Sequence, residues 1–498
     1  MKTTIELRHG VYRDSVKLMQ VSRALSAAAG VQAAIVAMAT PLNLDLLPRL
    51  GIDSSTVAAA TPNDLLIAVR ADDDATLASA LALLEELLAA RDGPSGGDGF
   101  GQPVAPRTTA SAIRRSGASL AVISVPGRNA FVETMDALRA GASVMVFSDN
   151  VAVEEEIALK EEATRRGLLV MGPDCGTAIV GGVGLGFANV VRPGPVGLVA
   201  ASGTGAQQIC SLLDAAGLGF SAVLGTGGRD LSLAVGARST LHALELLDAD
   251  PATELVVVLS KPPAAEVASL VRDAVSRMRT PTIVGFLGRG EVDLTVVASR
   301  VLSALGRPLV DPPEWPAPTE RRPRPGMLRG LFSGGTLCDE AMLIAADLLG
   351  PIFSNIPLEP DWALGPDLRA PGHLMIDFGD DRLTQGRPHP MIDWTLRLER
   401  LAEEAADPTC AVVLLDVVLG YGAHEAPAGI LVPALHAARE RAAVDGRDLA
   451  VVVSLTGTAG DPQGLEATAR ALQEAGASVH LSNAAAARTA ASLVERGA

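Results

Sequence analysis

The chain has 498 residues, which predicts three or four domains. Its 48% hydrophobic and 20% charged residues exclude a disordered protein, and its net charge of −16 argues against a nucleic-acid partner, since phosphate backbones select basic surfaces. Cys175, Cys210, Cys338 and Cys410 lie far apart with no CxxC pair, which predicts a reduced, cytoplasmic protein without a zinc site. The start MKTTIELRHG has no apolar signal region and no apolar run reaches about 18 residues, so no membrane span or membrane partner is expected.

In chain order, residues 1–90 alternate strand and helix. Strands are predicted at 3–8, 31–38 and 64–69, and helices at 15–29, 44–50 and 74–90. That pattern predicts a small ferredoxin-like α+β domain with no Gly-rich phosphate loop. Residues 91–106 are rich in glycine and proline and read as a linker. From residue 111 the pattern becomes βα units, with strands at 120–125, 143–147 and 168–171 and helices at 129–140 and 153–166. Continuous apolar strands separated by helices predict a parallel sheet covered on both faces.

The stretch from 196 to 216 carries the most information. The apolar strand 196–200 runs into Ser202, Gly203, Thr204 and Gly205, and a helix follows from 206. A helix start leaves backbone N–H groups without partners and adds partial positive charge, so such a turn suits an anion. Glycines allow close backbone approach there; a plain βα turn with a serine cap is the competing reading. The design recurs at Gly334, Gly335 and Thr336, which align without a gap with Ser202, Gly203 and Thr204 and open a helix from 337 to 349. Asp250-Pro251 and Asp407-Pro408 then precede the matching strands 255–259 and 411–415. This is an internal duplication, and it predicts two flavodoxin-like domains, 193–311 and 326–498, joined by a proline-rich spacer at 311–326. Two such turns facing each other are expected to hold one phosphate between two helix N-termini. Gly227 and Gly228 lie in the matching loop GTGGRD, and Cys175 follows Pro173-Asp174 as a pocket residue or a buried inert thiol.

Residues 121–228 resemble the α subunit of succinyl-CoA synthetase through VISVPGRNAFVETMDALRAG, MGPDCGT, RPGPVGLVAASGTGAQQ and GTGGRD. The second copy is similar to the carboxy-terminal domain of that enzyme's β subunit. With the N-terminal domain and the run MIDFGDDRLTQGRPHPMID, the whole chain resembles the FdrA family. The resemblance implies an acyl-CoA-synthetase-like α/β protein with a Rossmann-like, CoA-binding-type domain at 107–192. In some members it implies a subunit of an oxamate carbamoyltransferase of allantoin breakdown. Two departures bear on function. Where the synthetase carries its phosphate-accepting histidine, Val284 to Glu291 contain none, and the chain has no room for an ATP-grasp domain. The expectation is therefore a carbamoyltransferase subunit that binds phosphate or carbamoyl phosphate, with CoA possible, in a homo-oligomer with partner subunits. The alternative is an acyl-CoA ligase or CoA-binding protein.

Polar residues of the second copy complete the candidates. Arg387 suits bidentate clamping of a carboxylate or phosphate, and His389, between two prolines, suits general-base work. Asp416, in an apolar strand, requires a partner and lies toward the carboxyl edge where ligands bind in open α/β sheets; His424 follows it. A solvated loop and a capping role are the competing readings. No recognisable ligand spacing points to a metal.

Overall fold

A computed structural model describes residues 1–495 apart from 12, 14, 45, 49, 54–56, 58–59, 62, 90–105, 320–321 and 385–386. The predicted linker at 91–106 therefore lies outside the described residues, Pro106 excepted. The chain divides into two compact units, Met1–Ala105 with Arg382–His389, and Pro106–Asp381 with Pro390–Ala498.

In the first unit β1 (Lys2–Arg8), β2 (Val31–Met38) and β3 (Leu65–Ala71) form an antiparallel sheet in the order β1-β3-β2. The helices Ser15–Ser26 and Asp74–Ala89 bury Leu18, Val21, Leu25, Leu84 and Leu88 against Val36, Ile67 and Val69. The short helix runs Pro41–Leu44, earlier than the expected 44–50. Thr40 Oγ1 accepts from the Asn43 N–H at 3.3 Å, and proline is preorganised for the first helical position, so the helix starts there.

Among its described residues the second unit holds three sheets. The smallest is parallel, β4 (Leu120–Ile123), β5 (Ser143–Val146) and β6 (Val170–Met171). The next contains β7 (Thr177–Val180), β8 (Val183–Gly186), β9 (Pro193–Ala201), β10 (Phe220–Gly225), β11 (Leu255–Ser260) and β12 (Thr282–Phe286), in the order β12-β11-β9-β10-β7-β8. The third contains β13 (Glu314–Trp315), β14 (Met327–Phe332), β15 (Ile352–Ser354), β16 (His373–Asp377), β17 (Cys410–Val418), β18 (Ala450–Thr456) and β19 (Ser478–His480), in the order β13-β19-β18-β17-β14-β16-β15.

The duplication is visible in these orders. β12-β11-β9-β10 and β18-β17-β14-β16 repeat one arrangement, with the strands before Ser202 and Gly334 in equivalent central places. β11 and β17 are buried at every residue, which is why both read as unbroken apolar runs. The second copy inserts β15 as an edge strand. One core joins the repeats, with Leu198, Ile209 and Leu213 of the first in the same cluster as Leu337, Met342 and Leu414 of the second.

One expectation is corrected. The hairpin β7–β8 pairs antiparallel with β10 and so extends the first repeat's sheet, although it lies before residue 193. The proline-rich spacer at 311–326 is tied to the second repeat: β13 pairs with β19, and Trp315 Nε1 donates to Glu466 at 3.2 Å.

Candidate functional site

The parallel strands β9, β10 and β11 end together at one edge, and β14, β16 and β17 do likewise. Carboxyl edges are where open α/β sheets place ligands. The two central strands deliver their turns against each other. Ser202 Oγ lies 2.6 Å from Thr336 Oγ1. The crosswise equivalent pair is also in contact, since a Cβ on Gly334 would meet Thr204 Cγ2 at 2.5 Å. Ser202, Thr204 and Thr336 are all buried. The juxtaposition of the two turns is thus present, but the gap expected to hold phosphate between them is closed by direct side-chain contact.

Each turn is stabilised differently. Ser202 caps its own helix, Gly203–Ala215, by accepting from the Gly205 N–H at 3.0 Å. Gly334 has no side chain to cap the helix Gly335–Leu349. Instead the Asp416 carboxylate, from the neighbouring strand, accepts from Ser333 N at 2.8 Å and Gly334 N at 2.9 Å. Asp416 is fully buried and pairs with Arg397 Nη2 at 2.8 Å. Burial pushes the Asp416 carboxyl up, opposed by the Arg397 charge and by the Ser333 and Gly334 amides. The expectation of a catalytic Asp416 is therefore corrected: it is an internal anion that occupies amides a ligand would otherwise take.

Beside the second turn stand Lys261, directly after β11, and Asp377, the last residue of β16. Sequence reasoning missed both. A Cβ on Gly335 would come within 2.6 Å of Lys261 Nζ and 2.7 Å of Asp377 Oδ2. Lys261 Nζ pairs with Asp339 Oδ2 at 3.3 Å. Burial disfavours the Lys261 charge, but the Asp339 and Asp377 carboxylates outweigh that and hold its ammonium above the usual lysine range. Burial pushes the Asp377 carboxyl up to about 7, against the pull of Lys261 and the Gly379 N–H. The result is a cation beside two carboxyl groups whose proton affinity burial raises, a composition suited to acid–base and anion chemistry.

The remaining candidates disperse. Gly227 has φ +88 and packs on Gly172 and the Pro173 carbonyl, and a Cβ on Gly228 would meet Asp174 Oδ2 at 3.6 Å. Their loop is anchored by the buried Lys160, whose Nζ donates to Thr226 O at 3.1 Å and pairs with Asp230 at 2.8 Å and Glu156 at 2.7 Å. Cys175 is a core thiol, 1% exposed, and burial pushes it up to about 12, so it is no pocket nucleophile. His424 Nδ1 accepts from the Ala426 N–H at 3.0 Å just before the helix Pro427–Val444, which is a helix-start role. Arg387 and His389 fall in the segment Arg382–His389, which clusters with the first unit and not with Asp416.

The carboxy-terminal part, residues 331–493, matches the CoA-ligase family model, and residues 1–103 match that of the AllF heavy metal-associated domain. The name of the latter implies a metal, but the donors do not fit a soft one. Residues 1–103 contain no cysteine, and the described residues gather no group of three or more His, Cys, Asp or Glu. Nor is any helix among the described residues long and apolar enough to cross a membrane.

Among curated relatives, the succinate–CoA ligase [ADP-forming] subunit alpha 2 of Archaeoglobus fulgidus is 31% identical over 34% of this chain and 58% of its own length. The malate–CoA ligase subunit alpha of Methylorubrum extorquens is 26% identical over 36% of this chain and 62% of its own. The chain thus spans less than two thirds of these ligase subunits. A solved structure, the dinucleotide-forming acetyl-coenzyme A synthetase 1 of Ca. Korarchaeum cryptofilum, aligns over 75% of this chain and 82% of its own at 16% identity and a TM-score of 0.29, too low to carry weight. The succinyl-CoA-synthetase-like resemblance is supported by these relatives, whereas its carbamoyltransferase part is not. At 39% identity over 96% of this chain and 95% of the relative, the protein belongs to the family of the uncharacterized Escherichia coli (strain K12) protein YahF, an FdrA-like family with a CoA-ligase domain.

Proposed function

We propose that the protein is an acyl-CoA-ligase-related enzyme subunit that binds CoA and a phosphate-activated acyl group at the carboxyl edge shared by its two repeats. The observation that carries this is the charged pair Lys261 and Asp339 at the carboxyl edge where the two repeats meet, beside the second helix-opening turn. The CoA-ligase match over 331–493 and the ligase relatives support the same reaction class. A site of this kind stabilises an acyl phosphate through helix-start amides and a fixed cation.

A narrower reading takes carbamoyl phosphate as the acyl phosphate, in a cytoplasmic enzyme with partner subunits. It is favoured by the absence of a histidine between Val284 and Glu291, so that a donor already carrying phosphate replaces a phosphorylated carrier. The four buried, free cysteines support a reducing compartment.

Isothermal titration of the full chain with CoA, acetyl phosphate, carbamoyl phosphate and ATP tests both readings. Saturable heats with CoA or acetyl phosphate are expected. Carbamoyl phosphate binding more tightly than acetyl phosphate would single out the narrower reading, and no heat with any of them would sink the proposal.

A further inference from the structure

Two buried amide side chains of the first repeat's side share one carbonyl of the second. Asn189 Nδ2 donates to Leu419 O at 3.0 Å and to Asp461 Oδ2 at 2.7 Å, and Gln207 Nε2 donates to the same Leu419 O at 3.4 Å. Asn189 is 2% exposed and Gln207 1%. Both amides thus turn their nitrogens to Leu419 O and their oxygens away from it. The reverse orientation would set oxygen against oxygen. Asn189 Oδ1 and Gln207 Oε1 find no donor among the described residues. The neighbouring Gln208 shows the contrast, since it donates to Leu481 O and accepts from Thr456 Oγ1, each at 2.8 Å. Buried acceptors without donors are uncommon and call for an explanation.

Asp461 adds an independent observation at the same place. It is 4% exposed. Its Oδ1 accepts from Val190 N at 2.7 Å, and its Oδ2 accepts from Thr458 N at 2.8 Å and from Asn189. A carboxylate offers about four acceptor positions, so one remains. Burial pushes this carboxyl up, and the Val190 and Thr458 amides oppose that. The buried Asp230, Asp339 and Asp416 pair with Lys160, Lys261 and Arg397 respectively. Among the described residues Asp461 has hydrogen-bond donors but no lysine, arginine or histidine as an ion-pair partner. A buried charge without a counter-charge is costly. Ala459, Gly460 and Pro462 beside it are exposed, so an ion reaches the place without unfolding the core.

We propose that Asn189, Gln207 and Asp461 hold one alkali cation between the two repeats. The two amide oxygens replace part of the ion's hydration shell, as carbonyl oxygens do for potassium, and the carboxylate balances its charge. One carboxylate matches a single positive charge, whereas calcium gathers about six to eight oxygens with more acidic ligands among them. The ion ties the helix Gly203–Ala215 to the loops that leave β17 and β18 in the second repeat. This site is separate from the ligand proposed above and stands whether or not CoA or an acyl phosphate binds.

Thermal melts of the full chain in potassium, sodium and choline chloride at matched ionic strength test this. Potassium or sodium is expected to raise the melting temperature over choline by about 2 °C or more, because an ion that binds only the folded chain stabilises it. Gln207→Leu should lose much of that increment and Asp461→Asn nearly all of it. Gln208→Leu, which removes a side chain paired at both ends, should melt lower in every salt and keep the increment. Equal melting temperatures of the parent in the three salts overturn the proposal, since a water or a proton at the place gives that result. An undiminished increment in a folded Gln207→Leu or Asp461→Asn overturns it too. If neither variant folds, the thallium magnetic resonance of thallous ion titrated into the parent decides. A saturable shift reversed by potassium supports the site, and no shift removes it.

Discussion

The first and second turns begin from the same plan and solve the same problem with different groups. Ser202 caps its helix with its own hydroxyl, whereas Gly334 imports a carboxylate from β17. In the register of the sheets, Val199 pairs with Val258 and Leu331 with Leu415, so Leu259 takes the place of Asp416 in the first repeat. An apolar residue there leaves the first repeat dependent on Ser202. The same divergence appears deeper in the helices. Gln208 and Glu340 are equivalent by the turn alignment. Gln208 donates to Leu481 O at 2.8 Å, and Glu340 accepts from Leu294 N and from Asn483 Nδ2, each at 2.7 Å. A duplicated element keeps its backbone plan and diverges in how its polar groups are satisfied, because any partner that pairs a buried donor suffices.

That comparison can be broken most severely at Asp416. Asp416→Ala leaves Arg397 buried without its counter-charge and two amides without acceptors, and is expected to cost about 3–5 kcal/mol in urea unfolding. Its counterpart Leu259→Ala, an apolar truncation, should fall at the lower end of about 2–5 kcal/mol. Next comes Gly334→Ala, which drives a methyl onto Thr204 and should cost about 1–3 kcal/mol. Ser202→Ala removes the cap and the contact with Thr336, an expected loss of about 1–2 kcal/mol in the same assay. A Ser202→Ala loss as large as that of Asp416→Ala would show that the two turns share one stabilising network.

A separate effect is a dependence on pH. Burial pushes the Glu340 carboxyl from 4.5 up to about 7. A raised folded pKa means the folded chain holds the proton more tightly than the unfolded chain. The stabilisation is complete below the usual carboxyl range and is lost as pH rises through about 7. Glu340→Gln should flatten the fall of melting temperature between pH 4.5 and 7, and an unchanged slope would place the titration elsewhere.

Much of the architecture was legible in the sequence. The apolar strands, the gapless pair of turns and the paired Asp-Pro steps predicted two like sheets, and the sheets share one order. The hairpin β7–β8 was not foreseen, although its signal was present. Gly181-Gly182, with φ +59 and +78, separates two short apolar runs, the pattern of a two-residue hairpin loop. Lys261 could have been found by the rule that drew attention to Asp416, because it follows a buried strand at a carboxyl edge. The role of Asp416 was not legible, since nothing in its own strand shows that its oxygens point at another turn's amides. Arg387 and His389 were read as site residues of the second copy from their place in the chain, which does not report which unit a loop packs with.

The meeting of Ser202 and Thr336 joins two repeats of one polypeptide, so the contact is closed by the chain itself and its stoichiometry is fixed at synthesis. Tethering gives each turn an effective concentration of its counterpart on the order of millimolar. A contact so supplied can be small and still persist. Substitutions at it are then expected to loosen the site locally, with no dissociation step and no dependence on protein concentration.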